Sequence, residues 1–247
     1  MISVIIPTYN DENIIRSTIE HLQLNAYTRL LKEIIVVDGG SIDQTLTEAK
    51  KAGARVVRSD VNNRSIQMNL GGEAAKGNIL YFLTPGTYPP KNFTNEIVRA
   101  TMKGHACGSF LFEFDYPHWL LNTITKVTRI KKLFTGIEHQ SLFMLKELFM
   151  KGGTFREDQL IFEDDELLKR IRRYSNFILI PANVVASCKQ YLSSAISKER
   201  SYLIARSLMK LGINQKKIYS VYTRLLRSKR TQQTLWLPDP VQAESVS

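Results

Sequence analysis

The sequence predicts an α/β fold in which a mostly parallel sheet is flanked by helices. In the first hundred residues, short apolar runs alternate with segments whose apolar residues recur at helical spacing. The runs are apolar on both faces, which is typical of parallel strands covered by helices on each side. A length of 247 residues, with 43% hydrophobic residues, suits one large domain or a domain with an appendage.

Four predicted strands, each followed by a helix, account for the first hundred residues. The strands are predicted at residues 2–6, 34–37, 55–57 and 79–83. We expect Asn10 or Asp11 to cap the first helix and Ser41 to cap the second, which runs to about residue 52. The third and fourth helices are predicted at 64–75 and 91–102. Because parallel sheets bind ligands at the carboxyl ends of their strands, the candidate site comprises loops 7–12, 38–43 and 83–87.

The pattern is looser after residue 105. It predicts strands at 109–114 and 140–144, and helices at 119–133 and 163–173. Two basic amphipathic helices are predicted between residues 193 and 227, with a break near Gly212. The segment 231–247 has no period and is predicted to be disordered. The predicted organisation is a main domain at 1–190, a basic helical segment at 191–230 and a tail at 231–247.

The net charge of +11 lies entirely in the second half of the chain. Residues 1–125 hold 12 basic and 12 acidic side chains, so residues 126–247 carry the whole excess. Within them, residues 188–230 have 11 basic side chains against Glu199 alone. This surface predicts an anionic partner, which leaves nucleic acid, anionic lipid and nucleotide phosphate open.

Several protein classes are excluded by simple features of the sequence. Two cysteines cannot form a disulfide scaffold or a four-cysteine zinc site, and they fit a reducing compartment. The first residues lack the basic start of a signal peptide, and no apolar run approaches the roughly 18 residues of a membrane span. We therefore expect a cytoplasmic protein. Glycine-rich phosphate loops, HExxH and GxSxG are missing from the sequence.

Four motifs lie in order along the chain. They are Val4-Ile-Ile-Pro-Thr-Tyr-Asn-Asp11, Ile35-Val-Val-Asp-Gly-Gly-Ser-Ile-Asp43, Arg64-Ser-Ile-Gln-Met-Asn69 and Phe162-Glu-Asp-Asp-Glu166. Together they resemble the family 2 glycosyltransferases, which are inverting nucleotide-sugar enzymes of the GT-A fold. The Val-Asp-Gly-Gly-Ser and Gln-Met-Asn segments are similar to a small bacterial subgroup found near radical-SAM enzymes. The resemblance covers roughly residues 1–225.

This resemblance implies a role for each matching residue. The nucleotide-sugar would be bound at Pro7, Thr8, Asp11, Asp38, Arg64, Gln67, Asn69, Thr84 and Gly86. Asp38 would accept a hydrogen bond from the base, as a carboxylate can from the imide of uracil. Asp164, together with Glu163, would be the catalytic base that deprotonates the acceptor hydroxyl during an inverting transfer.

The chain departs from the family pattern after the fourth strand. Relatives carry Asp-x-Asp or His-Ala-Asp-Thr there and bind Mg²⁺ or Mn²⁺, but this chain reads Thr84-Pro-Gly-Thr87, with Gly86 at the metal-ligand position. His139 and the segment 187–191 depart from the pattern as well. Three explanations stay open. Arg64, Lys91 or Lys189 neutralises the diphosphate without a metal; the chain is a non-catalytic relative; or Asp38 or Asp60 holds a cation.

The basic second half favours a membrane partner. Two basic amphipathic helices can lie on an anionic membrane at the inner face, and this suits a lipid or membrane-attached acceptor. In the alternative, their apolar faces pack on the domain and the charges are solvated. Nucleic acid is disfavoured because the tyrosines among these cations come with no RRM, KH or helix-turn-helix signature.

Overall fold

The computed structural model describes residues 1–115, 141–186, 201, 204–205, 207–209 and 211–226. Its strands are β1 (Ile2–Thr8), β2 (Leu31–Asp38), β3 (Arg55–Arg58), β4 (Ile79–Leu83), β5 (Thr87–Tyr88), β6 (Cys107–Phe114), β7 (Ser141–Leu145) and β8 (Phe177–Ala186). Its helices are α1 (Ile15–Asn25), α2 (Thr45–Lys51), α3 (Arg64–Ala74), α4 (Phe93–Met102), α5 (Lys146–Gly152), α6 (Glu163–Ile171) and α7 (Gln215–Leu226). The strands form one sheet in the order β3-β2-β1-β4-β7-β6-β8-β5.

The first four strands form the predicted parallel sheet. β1 pairs in parallel with β2 and β4, and β2 pairs in parallel with β3. Alternate residues of β1 enter different apolar clusters, because successive strand side chains point to opposite faces. Val4 packs with Ile19 of α1 on one face, and Ile5 packs with Met68 of α3 on the other. Each fully buried aliphatic side chain contributes about 1.5–3 kcal/mol, so the two layers stabilise the sheet from both sides.

The rest of the sheet is mixed. β7 runs antiparallel to both β4 and β6, whereas β6 and β8 are parallel. The short β5 closes this end of the sheet as an antiparallel partner of β8. The predicted α/β fold with flanking helices is therefore confirmed, and the strands β1 to β4 form its continuous parallel part.

The sequence analysis did not identify α5, β5 or β8. Strand β8 contains Pro181, which cannot donate to a strand ladder and masks the apolar pattern. The pairing of β6 with β8 shifts register between Phe110 and Leu111, opposite the proline. An irregularity of this kind accommodates proline inside a strand. α5 has only seven residues, too few for a helical period to be recognised.

The predicted helix caps are wrong. α1 begins at Ile15, and α2 begins at Thr45 rather than after Ser41; neither has a side-chain cap. The polar side chains proposed as caps, Asn10, Asp11 and Ser41, bind loop atoms instead. Short polar side chains serve equally well in caps and in turns, so local sequence does not distinguish the two.

The C-terminal helical segment is described only in part. Helical residues lie on both sides of Gly212, which has a φ of +73° and marks the predicted break. The predictions for 119–133, 139, 187–191 and 231–247 fall outside the described residues, and the proposed domain boundaries stay predictions. Among the described helices, none has both the length and the apolar character needed to span a bilayer.

Candidate active site

The loops after β1 and β2 are bonded to each other at the carboxyl end of the sheet. The Asn10 amide donates to Ser41 Oγ over 2.9 Å, and Asn10 Oδ1 accepts from the Ile42 amide over 3.0 Å. The Asp11 amide donates to Thr45 Oγ1 over 2.7 Å. Because these bonds cross between loops, the two loops form one preorganised surface.

Asp11 lies at the centre of this surface. Its Oδ2 accepts from the Thr8 hydroxyl over 2.7 Å and from the Tyr9 amide over 3.1 Å. The pKa of Asp11 is raised to about 6, because burial and the charges of Asp43 and Asp38 together outweigh the two hydrogen bonds, which lower it. The predicted site residues Thr8 and Asp11 are therefore direct neighbours, and Pro7 precedes them in the buried strand.

Asp38 ends β2 and is 1% exposed. Its carboxylate accepts from the Gly40 amide over 3.1 Å, and from the Ser41 amide and hydroxyl over 3.1 and 2.5 Å. Gly40 has a φ of +92°, which favours glycine, and a Cβ on Gly39 would lie 3.0 Å from Gln67 Nε2. The Asp-Gly-Gly-Ser motif thus builds a tight turn, and the base-binding role of Asp38 stays a prediction.

Gln67 and Asn69 on α3 hold main-chain segments around the site. The buried Gln67 donates from Nε2 to the carbonyls of Thr8 (2.9 Å) and Val37 (2.7 Å), at the ends of β1 and β2. Asn69 exchanges two 2.9 Å hydrogen bonds with the main chain of Phe155. Both side chains fix the backbone around the site, and their predicted contacts with a nucleotide-sugar stay predictions.

The structure brings Arg64 together with Glu163 and Asp164. Arg64 Nη1 donates to Asp164 Oδ2 over 3.0 Å and also to Glu163 Oε1. The three side chains are only 19%, 13% and 11% exposed. Although burial opposes it, the charges of Asp164 and Glu163 raise the pKa of Arg64 above its ordinary value, so the guanidinium stays charged. Three predicted site residues from distant parts of the sequence therefore form one cluster.

This cluster lies at the N-terminus of α6, whose first turn has four acidic residues. Acidic side chains are stabilised there by the helix dipole. Phe162, immediately before the helix, has a φ of +63°, a conformation that costs about 1–3 kcal/mol for a non-glycine residue. Glu166 pairs with Arg170 over 2.7 Å, as its spacing predicts, and Arg170 also donates to the Thr154 carbonyl.

The loop after β4, which carries Thr84 and Gly86, is fastened to α1. The buried Gly86 amide donates to Thr18 Oγ1 over 2.9 Å, and the hydroxyls of Tyr88 and Ser17 lie 3.2 Å apart. Gly86 has a φ of +76°, so a residue with a side chain would be strained there. The loop therefore has a defined structure, and an aspartate at position 86 would be strained in it.

This loop does not fit the metal site of the resembling family. It supplies hydroxyl and amide groups but no carboxylate, and hard divalent cations prefer charged oxygen ligands. The carboxylate of Asp38 accepts hydrogen bonds within its own turn, and Asp60 is exposed. Across the described ranges, no group of three or more His, Cys, Asp or Glu side chains could hold a metal ion.

The sequence analysis assigned no functional role to three supporting residues, Thr18, Thr45 and Phe162. Thr18 and Thr45 accept hydrogen bonds from loops far away in the sequence, and the conformation of Phe162 depends on tertiary packing. A local pattern carries no signal for contacts of this kind.

Comparison with known proteins identifies one family. The model of "Glycosyl transferase family 2" matches residues 3–155. An uncharacterized protein of Methanocaldococcus jannaschii, MJ1222, is 31% identical over 124 residues, which are 45% of this chain and 47% of that protein. The chain thus spans about half the length of this relative.

Solved structures show the same fold. The mannosyltransferase PcManGT from Pyrobaculum calidifontis, in complex with GDP-Man and Mn²⁺, has a TM-score of 0.67 at 17% identity, over 95% of this chain and 76% of that chain. S. aureus TarS 1–349 in complex with UDP has a TM-score of 0.63 at 17% identity, over 91% and 70%. A longer TarS structure is covered to 42%, and TarS 1–349 has also been solved with UDP-GlcNAc. At such low identity, these likenesses show the fold alone.

Proposed function

Because the chain belongs to glycosyl transferase family 2 and has the GT-A fold, we propose that it transfers a sugar from a nucleotide-diphosphate donor to a hydroxyl acceptor with inversion. Asp164 would take the proton of the attacking hydroxyl, with Glu163 beside it. The observation that carries this proposal is the buried cluster of Arg64 with the two carboxylates. Structural neighbours bind UDP, UDP-GlcNAc or GDP-Man, which supports a nucleotide-sugar donor.

Arg64 is our candidate for the cation that offsets the charge of the departing diphosphate. Only its Nη1 donates within the described part of the chain, so Nε and Nη2 are available to phosphate oxygens. A guanidinium presents several donors in a fixed fork and binds phosphate through two of them. Arg64 can therefore contact the diphosphate while it orients Asp164, which favours the metal-independent explanation. Of the other two cations that the sequence offered for this role, Lys91 is exposed and Lys189 lies outside the described residues.

Calorimetric titration with UDP- and GDP-sugars in EDTA tests this function. We expect binding to be unchanged when EDTA replaces Mn²⁺, because Arg64 supplies the positive charge. PcManGT, which was crystallised with GDP-Man and Mn²⁺, is titrated under the same two conditions for comparison. Binding that depends on Mn²⁺ would contradict the metal-independent site. Binding without turnover would favour the alternative, a non-catalytic nucleotide-sugar-binding protein, which the missing carboxylate at Gly86 motivates.

We further propose that the C-terminal helical segment lies on an anionic membrane at the inner face and brings the enzyme to a lipid or membrane-attached acceptor. α7 buries Ile218 and Tyr219, whereas Val221 and Leu225 are 37% and 41% exposed. Lys216 and Lys217 are also exposed on this helix. Exposed apolar and basic side chains on one helix are typical of binding to anionic lipid, at about 1 kcal/mol per basic residue.

Vesicle co-sedimentation tests the membrane proposal. We expect binding to vesicles that contain phosphatidylglycerol, weakening as salt rises, because the attraction is electrostatic. The double variant Lys216→Glu/Lys217→Glu should lose most of this binding. Lys50→Glu/Lys51→Glu on α2 changes the net charge equally and should retain it. Equal binding to neutral phosphatidylcholine vesicles would contradict the proposal. Membership of the radical-SAM-associated subgroup and the cytoplasmic location stay predictions.

A further inference from the structure

A third apolar cluster joins the C-terminal helices to the start of α6. Its buried members are Phe162, Ala205 and Ile218, and partly buried Leu208, Met209 and Tyr222 pack around them. Phe162 is 8% exposed, and Ala205 and Ile218 are fully buried. The two clusters on the faces of the sheet contain none of these residues. The described C-terminal helices thus pack on the residue that immediately precedes Glu163 and Asp164.

The backbone conformation of Phe162 depends on this packing. It is left-handed, with φ +63° and ψ 27°, which is an outlier for a residue with a large side chain. The Phe162 carbonyl accepts the Glu166 amide over 3.1 Å in the first turn of α6. A conformation of this kind persists only where surrounding structure holds it, and here the ring is held among α7 and its neighbours.

We infer that α7 is a positioning element for the catalytic carboxylates, and that it acts through Phe162. With the ring of Phe162 held by Ile218, the first turn of α6 presents Glu163 and Asp164 to Arg64. Without that packing, the strained backbone relaxes and the turn no longer holds the two carboxylates in place. As far as it concerns turnover, this inference rests on the proposed glycosyl transfer.

α7 also connects two parts of the proposed function. Ile218 and Tyr222 of this helix belong to the apolar cluster around Phe162. Lys216 and Lys217, which point away from Ile218 at helical spacing, are exposed. A surface bound on the exposed side restricts the motion of α7 and favours the packed arrangement of Phe162. If α7 binds a membrane as proposed above, that binding would raise the fraction of molecules in which the carboxylates are in place.

Amide hydrogen exchange tests the coupling without requiring activity. Ile218→Ala removes packing from Phe162, whereas Val221→Ala shortens an exposed side chain on the same helix. We expect exchange of the amides of residues 166–171 to rise on the order of 10-fold in Ile218→Ala. We expect no change in Val221→Ala, and none in β4 for either variant. Equal exchange at 166–171 in the two variants would overturn the inference.

Kinetics provides the second measurement. Ile218→Ala should lower kcat on the order of 10-fold and leave KM for the nucleotide-sugar unchanged, because the base is displaced while the loops after β1 and β2 are intact. Ile218→Val, which retains a branched side chain and folds more readily, should restore both the exchange and kcat. A loss expressed only in KM would contradict a positioning role. If the wild-type chain turns over no nucleotide-sugar, the proposed function fails, and the exchange comparison still decides the inference.

Discussion

Asp164→Asn is expected to lower the rate of sugar transfer on the order of 100- to 10,000-fold, the range that a positioned general base contributes. Asparagine has the same shape as aspartate, and its amide oxygen can still accept from Arg64, so the cluster should keep its geometry. The amide oxygen is a far weaker base. Nucleotide-sugar affinity should therefore change little while kcat falls.

The measurement is release of nucleoside diphosphate under saturating donor. Asp165→Asn is the matched control, because Asp165 is an acid in the same first turn of α6 and is not proposed as the base. It should retain most of the wild-type rate. Undiminished turnover in Asp164→Asn, or an equal loss in both variants, would remove Asp164 from the proposed role.

Arg64→Met is expected to lower the free energy of unfolding by about 3 kcal/mol, because it leaves two largely buried carboxylates without their cation. Methionine retains much of the aliphatic side chain, so the loss reports charge rather than packing. Urea denaturation at neutral pH measures the change. The triple variant Arg64→Met/Glu163→Gln/Asp164→Asn should recover most of the lost stability, since no uncompensated charge remains.

A surface ion pair provides the comparison. Arg99 pairs with Glu96 over 2.9 Å, and the two side chains are 70% and 37% exposed. Exposed pairs contribute at most about 1 kcal/mol, so Arg99→Met should cost clearly less than Arg64→Met. Equal losses in the two variants would show that the Arg64 cluster is energetically an ordinary surface pair.

The first half of the fold could be predicted because its strands carry a strong signal. Every residue of Ile79–Leu83 is buried, and a strand buried on both faces is apolar throughout. Strand β8 has no such signal, since Pro181 interrupts it and only its pairing with β6 and β5 reveals it. The antiparallel insertion of β7 depends on long-range pairing, and periodicity does not predict the direction of a strand.

The site could be predicted as a set of residues but not as an arrangement. The resemblance selected Arg64, Glu163 and Asp164, and the structure places them in one cluster. The resemblance could not indicate that Gln67 holds the ends of β1 and β2. It could not indicate the bond between Gly86 and Thr18 either, because tertiary hydrogen bonds join residues with no sequence relation.

The pairing of β4 with β7 has a consequence for the folding of the chain while it is being synthesised. β4 lies in the middle of the sheet, yet the strand that covers its open side is synthesised only after β6. Until β7 leaves the ribosome, the nascent chain displays an apolar strand with unpaired main-chain groups. Exposed edges of this kind recruit other chains, so the growing polypeptide passes through an aggregation-prone interval. A fragment that ends after α4 would retain this edge permanently, and the first half of the chain is therefore poorly suited to production on its own.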